Sequence, residues 1–459
     1  MRKIGRVDIK GSRCIKGISM EGQFVVDDAD KVIGAFNRIC DEVFICDTVA
    51  SHFGTTTLDK VLPTISEYTD KPLIVGGGIK TVEYAEKLFK LGADKIAINS
   101  QLFKDTGLLT KLINRFGAQS IILSIQALYR DGQYYAAYDY GREMTSFTLQ
   151  QWIDRINSEG VFPGECLVTS VERDGTMLGV DEELIKLSRS IVDVPFIYSG
   201  GYRGERSDSQ YLKEVDAIAI SKYLHVGTKK YEPPRKIEHR DAIQESVNIH
   251  IIDTGCGNIY SLKKCLIICG FRVTVVKDLP RQEIKSNTVV CIPGVGNFGR
   301  LCEQFDRDKV RSDLKEWIEN GGACIGICLG MQVMYTQSDE SPGDMGLSLI
   351  DEVLHMLTPC KESMLRVPRI GYANIRIREG SLSRVLKRHE DEEFYFVHSY
   401  ADTKAHPKYT AAVTDFGKSE YAVIIHYKNT VGFQFHPELS GECGRQLLID
   451  VIRSLLNIH

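Results

Sequence analysis

Through the first half of the chain, short β-branched runs such as Glu42-Val43-Phe44-Ile45-Cys46 alternate with amphipathic stretches such as Thr81-Val82-Glu83-Tyr84-Ala85-Glu86-Lys87-Leu88-Phe89. A short continuous apolar run fits a strand buried on both faces, and apolar residues three and four apart mark one face of a helix. Strand and helix in turn imply a parallel sheet. About eight such units between Arg6 and Tyr231 predict an α/β fold closed as a (β/α)8 TIM barrel, with an open doubly wound sheet as the alternative. After Ser221 the periodicity lapses toward the double proline Pro233-Pro234, so the last barrel helix is expected to be short or absent. Apolar runs resume after Val247. The expected division is a barrel over residues 1–232, a linker over 233–246 and a second α/β domain over 247–459.

The barrel half repeats internally. Arg6-Val7-Asp8-Ile9-Lys10, Asp47, Val75-Gly76-Gly77-Gly78-Ile79 and Ile98-Asn99-Ser100 are answered by Leu123-Ser124-Ile125-Gln126-Ala127, Thr169 to Thr176, Tyr198-Ser199-Gly200-Gly201 and Ile220-Ser221. Each half ends with a glycine loop after one strand and a small hydroxyl after the next. Such loops offer N–H groups to phosphate at the C-terminal face of a barrel, and two matching loops imply two phosphates.

The second half centres on Gly326-Ile327-Cys328-Leu329-Gly330-Met331-Gln332, between the apolar Ala323-Cys324-Ile325 and Val333-Met334-Tyr335. This reads as strand, tight turn and helix, with Cys328 at the apex as a nucleophile activated by the helix start. Downstream, Thr430 to Phe435 leads into His436-Pro437-Glu438. On an extended chain Glu438 shares a face with His436, giving a base and its orienter. Val289 to Gly299 reads as a strand entering a glycine loop, whose N–H groups join that of Leu329 in an oxyanion site.

Composition narrows the classes. The chain has 459 residues, a net charge of −4 and no basic stripe, which argues against nucleic-acid binding. No signal-length or membrane-length apolar stretch is present, so a cytoplasmic location is expected. The thirteen cysteines lie without metal-site spacing and read as reduced thiols. No metal or cofactor is expected.

At these motifs, residues from about Val247 to the end resemble a class I glutamine amidotransferase, specifically the glutaminase subunit of imidazole glycerol phosphate synthase. The narrower likeness rests on Ile251 to Asn258, Pro293-Gly294-Val295-Gly296 and Phe396-Val397-His398-Ser399-Tyr400. It implies that Cys328 attacks the glutamine amide, His436 shuttles the proton and Glu438 orients it. It also implies glutamine-binding roles for Gly294, Gly296, Leu329, Gln332, Glu340, His398, Ser399 and Tyr400. The barrel half resembles the cyclase subunit of the same synthase over nearly its full length, through Asp8-Ile9-Lys10, Lys16-Gly17, Ala93-Asp94-Lys95 and Arg173-Asp174-Gly175-Thr176. The likeness implies phosphate contacts at Lys16, Gly77, Gly78, Ser100, Asp174, Gly175, Gly200, Gly201 and Ser221. It implies an ammonia entrance ringed by Arg2, Glu42, Lys95 and Glu165, and Asp8 as a catalytic carboxylate. The acceptor would be a bisphosphorylated imidazole carboxamide nucleotide, giving imidazole glycerol phosphate and AICAR in histidine biosynthesis. Another ammonia acceptor is the alternative, with a sugar amidotransferase as partner in the making of acetamidino sugars.

Three departures stand out. Gln126 occupies the place of the family's second catalytic aspartate, and an amide exchanges no proton near neutral pH; Glu172 and Asp174 are the candidate substitutes. The segment Ile18-Ser19-Met20-Glu21-Gly22-Gln23-Phe24 reads as a shortened loop without the family's Arg-Asp and Gly-Asp-Pro elements. Arg369-Ile370-Gly371-Tyr372 has Arg and Tyr where the family has His and Trp. Barrel-first order is the reverse of the fungal and plant single-chain synthase, which marks a separate fusion.

Overall fold

The computed structural model describes residues 1–459 except 55, 229–230, 234–246, 256–258, 280–286, 295, 308, 361–364 and 459. Of the expected linker, Pro233 alone is among the described residues; Cys256 to Asn258 and Val295 also lie outside them. Two compact units emerge, one holding residues 1–114 and 118–237, the other residues 115–117 and 238–459.

In the first unit eight parallel strands close on themselves: β1 (Arg2–Lys10), β2 (Glu42–Asp47), β3 (Leu73–Gly76), β4 (Lys95–Ile98), β5 (Ile121–Arg130), β6 (Glu165–Ser170), β7 (Phe196–Ser199) and β8 (Ala217–Ile220). β8 pairs with β1, and β5 with β6, so the sheet has no open edge and the doubly wound alternative falls away. Each strand sends a side chain into one interior cluster, among them Ile4, Phe44, Ile74, Ala97, Ile122, Leu167, Ile197 and Ala219. The interior is thus a packed core rather than a pore. Residues two apart on a strand share a face, so Arg2, Ile4, Arg6 and Asp8 climb the inside of β1 from floor to mouth.

The segment after Lys16 is not a loop. Arg13–Ile18 and Glu21–Asp28 form an antiparallel hairpin that continues β1, with the left-handed Ser19 and Met20 at its turn. A second hairpin, Gln133–Tyr138 with Glu143–Thr148, continues β5 in the same way. The internal repeat therefore includes an extended hairpin in each half, which the short Gly-containing turns concealed. The last barrel helix, Lys222–Gly227, has six residues, as the loss of periodicity implied.

In the second unit Arg272–Val276, Asn248–Ile252, Thr288–Ile292, Ala323–Ile327 and Thr430–Phe433 lie side by side and parallel. Ser419–Tyr427, Thr410–Phe416 and Arg376–Ile377 extend the sheet in antiparallel fashion. Successive residues of Thr288–Ile292 enter opposite cores: Val289 and Cys291 pack with helix Gly441–Leu455, and Val290 and Ile292 with helices Phe298–Arg307 and Val310–Glu319. The sheet is covered on both faces, which explains its near-continuous apolar strands.

Candidate active site

Cys328 follows directly on the strand Ala323–Ile327, with φ 48° and ψ −104°. A non-glycine residue there carries strain of roughly 1–3 kcal/mol and persists only where its surroundings impose it. Those surroundings are tight: a Cβ on Gly330 would stand 2.0 Å from the Ile292 carbonyl oxygen, and one on Gly294 2.4 Å from the Leu329 nitrogen. The glycines are needed for close approach, while the strained torsion belongs to the cysteine itself. The following helix is only the single turn Leu329–Gln332; the chain returns to a strand at Tyr335–Ser338, correcting the helical reading of Val333 to Tyr335. Sequence alone misses this because apolar runs this short fit either state.

His436 reaches the same place from the next strand. Its Nδ1 lies 2.7 Å from Glu438 Oε1. The pairing was expected, but not its geometry: the strand ends at Phe433, and Pro437–Leu439 is a 3-10 turn that folds Glu438 back onto the ring. The His436 N–H donates to the Tyr395 carbonyl at 2.8 Å, and Ser440 Oγ donates to the His436 carbonyl at 2.6 Å. Burial opposes charge on the ring, but Glu438 and Cys328 outweigh it and hold His436 protonated well above the ordinary histidine range. Among the described residues, His436 Nε2 has no hydrogen-bond partner.

Around the sulfur, Gln434 Nε2 donates to Sγ at 3.7 Å, and the thiol itself points to the Val397 carbonyl at 3.9 Å. Gln434 also accepts from Gln332 Nε2 at 3.3 Å, and Gln332 donates to the Tyr400 carbonyl at 2.9 Å. The sequence reading assigns Gln434 no role, although it lies two residues before His436. Glu340 Oε2 accepts the Phe298 N–H at 2.8 Å, at the end of the glycine loop that contains Gly294 and Gly296. Burial pushes the Glu340 carboxyl up to about 7. His398 is buried between the Tyr400 carbonyl (3.0 Å) and the Tyr421 hydroxyl (3.1 Å), and burial together with Arg369 pushes it down to about 3. The ring is therefore neutral. Arg369 stacks at 4.5 Å over Phe396 and donates to the Tyr421 hydroxyl at 2.6 Å.

The barrel has its own charged layers. At the floor, Arg2, Glu42, Lys95 and Glu165 are the first residues of β1, β2, β4 and β6 and form a closed ring. Arg2 pairs with Glu42 at 2.5 Å and with Glu165; Lys95 pairs with Glu165 at 2.7 Å and Glu42 at 3.2 Å. At the mouth, Asp8 accepts from Arg6 Nε at 2.9 Å, Lys16 Nζ at 3.0 Å and the Tyr140 hydroxyl at 2.8 Å. Burial would raise the Asp8 carboxyl, but Arg6 and Lys16 hold it well below the usual carboxylate range.

The expected phosphate groups divide. Gly77, Gly78 and Ser100 line a cavity with Asp47, Gln126 and Tyr140. Lys16, Asp174, Gly175, Gly200, Gly201 and Ser221 do not line it. Lys16 instead bridges Asp8 and Asp174, the latter at 2.8 Å. A Cβ on Gly175 would stand 2.1 Å from the Gly17 carbonyl oxygen, and one on Gly201 2.1 Å from that of Gly179. Of the candidate substitute acids, Asp174 is committed to Lys16, and Glu172 accepts the Tyr129 N–H at 2.8 Å. Neither Arg6 nor Tyr140 has a role assigned from sequence: sharing a strand face with Asp8 could have flagged Arg6, and Tyr140 gave no signal.

Residues 4–230 match the family described as histidine biosynthesis protein, and residues 250–452 match glutamine amidotransferase class-I. The first region is 40% identical over 203 residues to imidazole glycerol phosphate synthase subunit HisF of Legionella pneumophila, covering 44% of this chain and 95% of the relative. It is 32% identical to subunit HisF of Thermotoga sp. (strain RQ2), covering 49% of this chain and 88% of the relative. The second region is 31% identical over 208 residues to subunit HisH of Prochlorococcus marinus, covering 45% of this chain and 96% of the relative.

Proposed function

The chain belongs to the imidazole glycerol phosphate synthase family, its first unit related to subunit HisF and its second to HisH, and from that premise we propose a reaction path through its named residues. As a glutamine amidotransferase of histidine biosynthesis, it hydrolyses glutamine at Cys328 and passes the ammonia to an acceptor in the barrel. The observation that carries the first step is the 2.7 Å contact of Glu438 with His436, whose other nitrogen is unpartnered. The sulfur attacks the side-chain amide carbon, and the carbonyl oxygen becomes an oxyanion facing the Leu329 N–H and the Gly294–Gly296 loop. Protonated His436 gives its proton to the departing ammonia, then accepts one from the water that cleaves the thioester, and glutamate leaves. Glu340 meets the ammonium of the bound glutamine, with Gln332 and Tyr400 alongside.

The ammonia enters the barrel by opening the ring of Arg2, Glu42, Lys95 and Glu165. The acceptor is the bisphosphorylated imidazole carboxamide nucleotide, one phosphate resting on Gly77, Gly78 and Ser100, and its products are imidazole glycerol phosphate and AICAR. The second loop, around Gly200, Gly201 and Ser221, takes the other phosphate after its present packing loosens. The units are joined through residues 233–246.

The test is glutamine hydrolysis by the purified chain with and without this nucleotide, following imidazole glycerol phosphate in the same sample. Stimulated hydrolysis with product is expected. Hydrolysis without product overturns the cyclisation step and points to a separate acceptor, such as a sugar amidotransferase.

A further inference from the structure

The mouth of the barrel holds a carboxylate and a cavity that do not meet. Asp8 is fully buried, and neither it nor Arg6 or Lys16 lines the cavity. Tyr140 touches both: it lines the cavity and donates its hydroxyl proton to Asp8 Oδ2 at 2.8 Å. The other groups on Asp8 are a guanidinium and an ammonium, and Asp174 holds the ammonium in turn. Neither cation exchanges its proton readily when paired in this way. Among the described residues, the phenol is the remaining link from Asp8 to the cavity.

The backbone is strained to place it there. Asp139, Tyr140 and Gly141 have φ of 52°, 57° and 78°, three left-handed residues in succession. Such conformations persist where surrounding contacts over-determine them. Here the Gly141 N–H donates to Gln126 Oε1 at 3.2 Å, Asn99 Nδ2 donates to the same oxygen at 2.7 Å, and the Asp139 N–H donates to Ser100 Oγ at 3.1 Å. Gln126, which has no proton to trade, supports the turn that carries a group which has one.

We propose that Tyr140 is a catalytic residue of the barrel, relaying protons between Asp8 and the molecule bound in the cavity. The inference rests on the reading of the barrel as the acceptor's reaction site. A proton leaving a nitrogen or oxygen of the acceptor adds to the phenol oxygen as the phenol's own proton passes to Asp8 Oδ2. The reverse transfer returns it later in the cycle, so neither oxidant nor co-reactant is needed. Arg6 and Lys16 make Asp8 a reluctant base, which favours the return.

Tyr140→Phe keeps the ring and removes the hydroxyl. In the full chain supplied with ammonium and the bisphosphorylated nucleotide, kcat is expected to fall about 100-fold or more, the range for a lost acid–base group. The KM for the nucleotide should stay within about threefold, because ground-state contacts survive. Glutamine hydrolysis without nucleotide should be unchanged. A kcat close to that of the parent overturns the relay. A second measurement needs no turnover: the infrared carboxylate band lost in Asp8→Asn is expected to shift when nucleotide is added without ammonia, and to stay fixed in Tyr140→Phe. An unmoved band in the parent, or equal shifts in both proteins, also overturns it. If the parent shows the Tyr140-dependent shift but forms no imidazole glycerol phosphate, cyclisation fails and the relay stands.

Discussion

Each unit buries a carboxylate against its working group, and the two use that charge in opposite ways. Glu438 faces one cationic ring whose far nitrogen is unpartnered, and Glu438 Oε2 is also left without a partner among the described residues. Asp8 faces two cations and a phenol, and all its contacts are made. Unpaired buried polar atoms cost stability, so on the proposed reading this pair keeps hydrogen-bonding positions open in the absence of substrate. The barrel's mouth is arranged the other way, as a closed network in which Asp8 meets the cavity through the Tyr140 hydroxyl.

The sharpest way to break this comparison is Cys328→Ala. Glutamine-dependent turnover should fall by about 10⁴-fold or more, as for loss of a covalent nucleophile, while ammonium-dependent turnover and thermal stability stay close to the parent. Loss of both activities would contradict separate centres. Arg6→Met should do the reverse, since it leaves Asp8 short of a buried partner. The expected cost is about 3–5 kcal/mol of stability, read as a lower urea midpoint for barrel unfolding, with glutamine hydrolysis retained.

Glu340→Gln sharpens the comparison through pH. The carboxyl is raised to about 7 when folded, so in the parent the KM for glutamine should fall as pH rises through that value and the carboxylate forms. The variant should show a higher and flatter KM. A group whose folded pKa exceeds its unfolded one binds more protons in the native state, so its stabilising contribution is present at low pH and declines as pH rises from the unfolded carboxylate range to about 7. That slope should vanish in Glu340→Gln, and its persistence would assign it elsewhere.

The closed barrel was legible because most of its strands are short, apolar and followed by a helical period. The hairpins after β1 and β5 were not, because turns of two to four residues leave little trace in periodicity. The strand-end position of Cys328 and the pairing of His436 with Glu438 were legible from neighbouring residue types, since glycine and proline act locally. The one-turn helix after Cys328 and the 3-10 turn at Glu438 were not, because tertiary packing against Ile292 and Tyr395 decides them. Tyr140 illustrates the limit: its role depends on a turn held by Gln126, Asn99 and Ser100, none of them adjacent to it in sequence.

The ring at the barrel floor also has a parity. Arg2, Glu42, Lys95 and Glu165 alternate in sign around the cycle, two charges of each kind and all buried. Removing one member leaves an odd charge in a site with little water to accept it, whereas removing an adjacent opposite pair restores balance. Variation at this floor is therefore expected to come in twos, and a lineage that abandons one of these residues should have abandoned or reversed its neighbour as well.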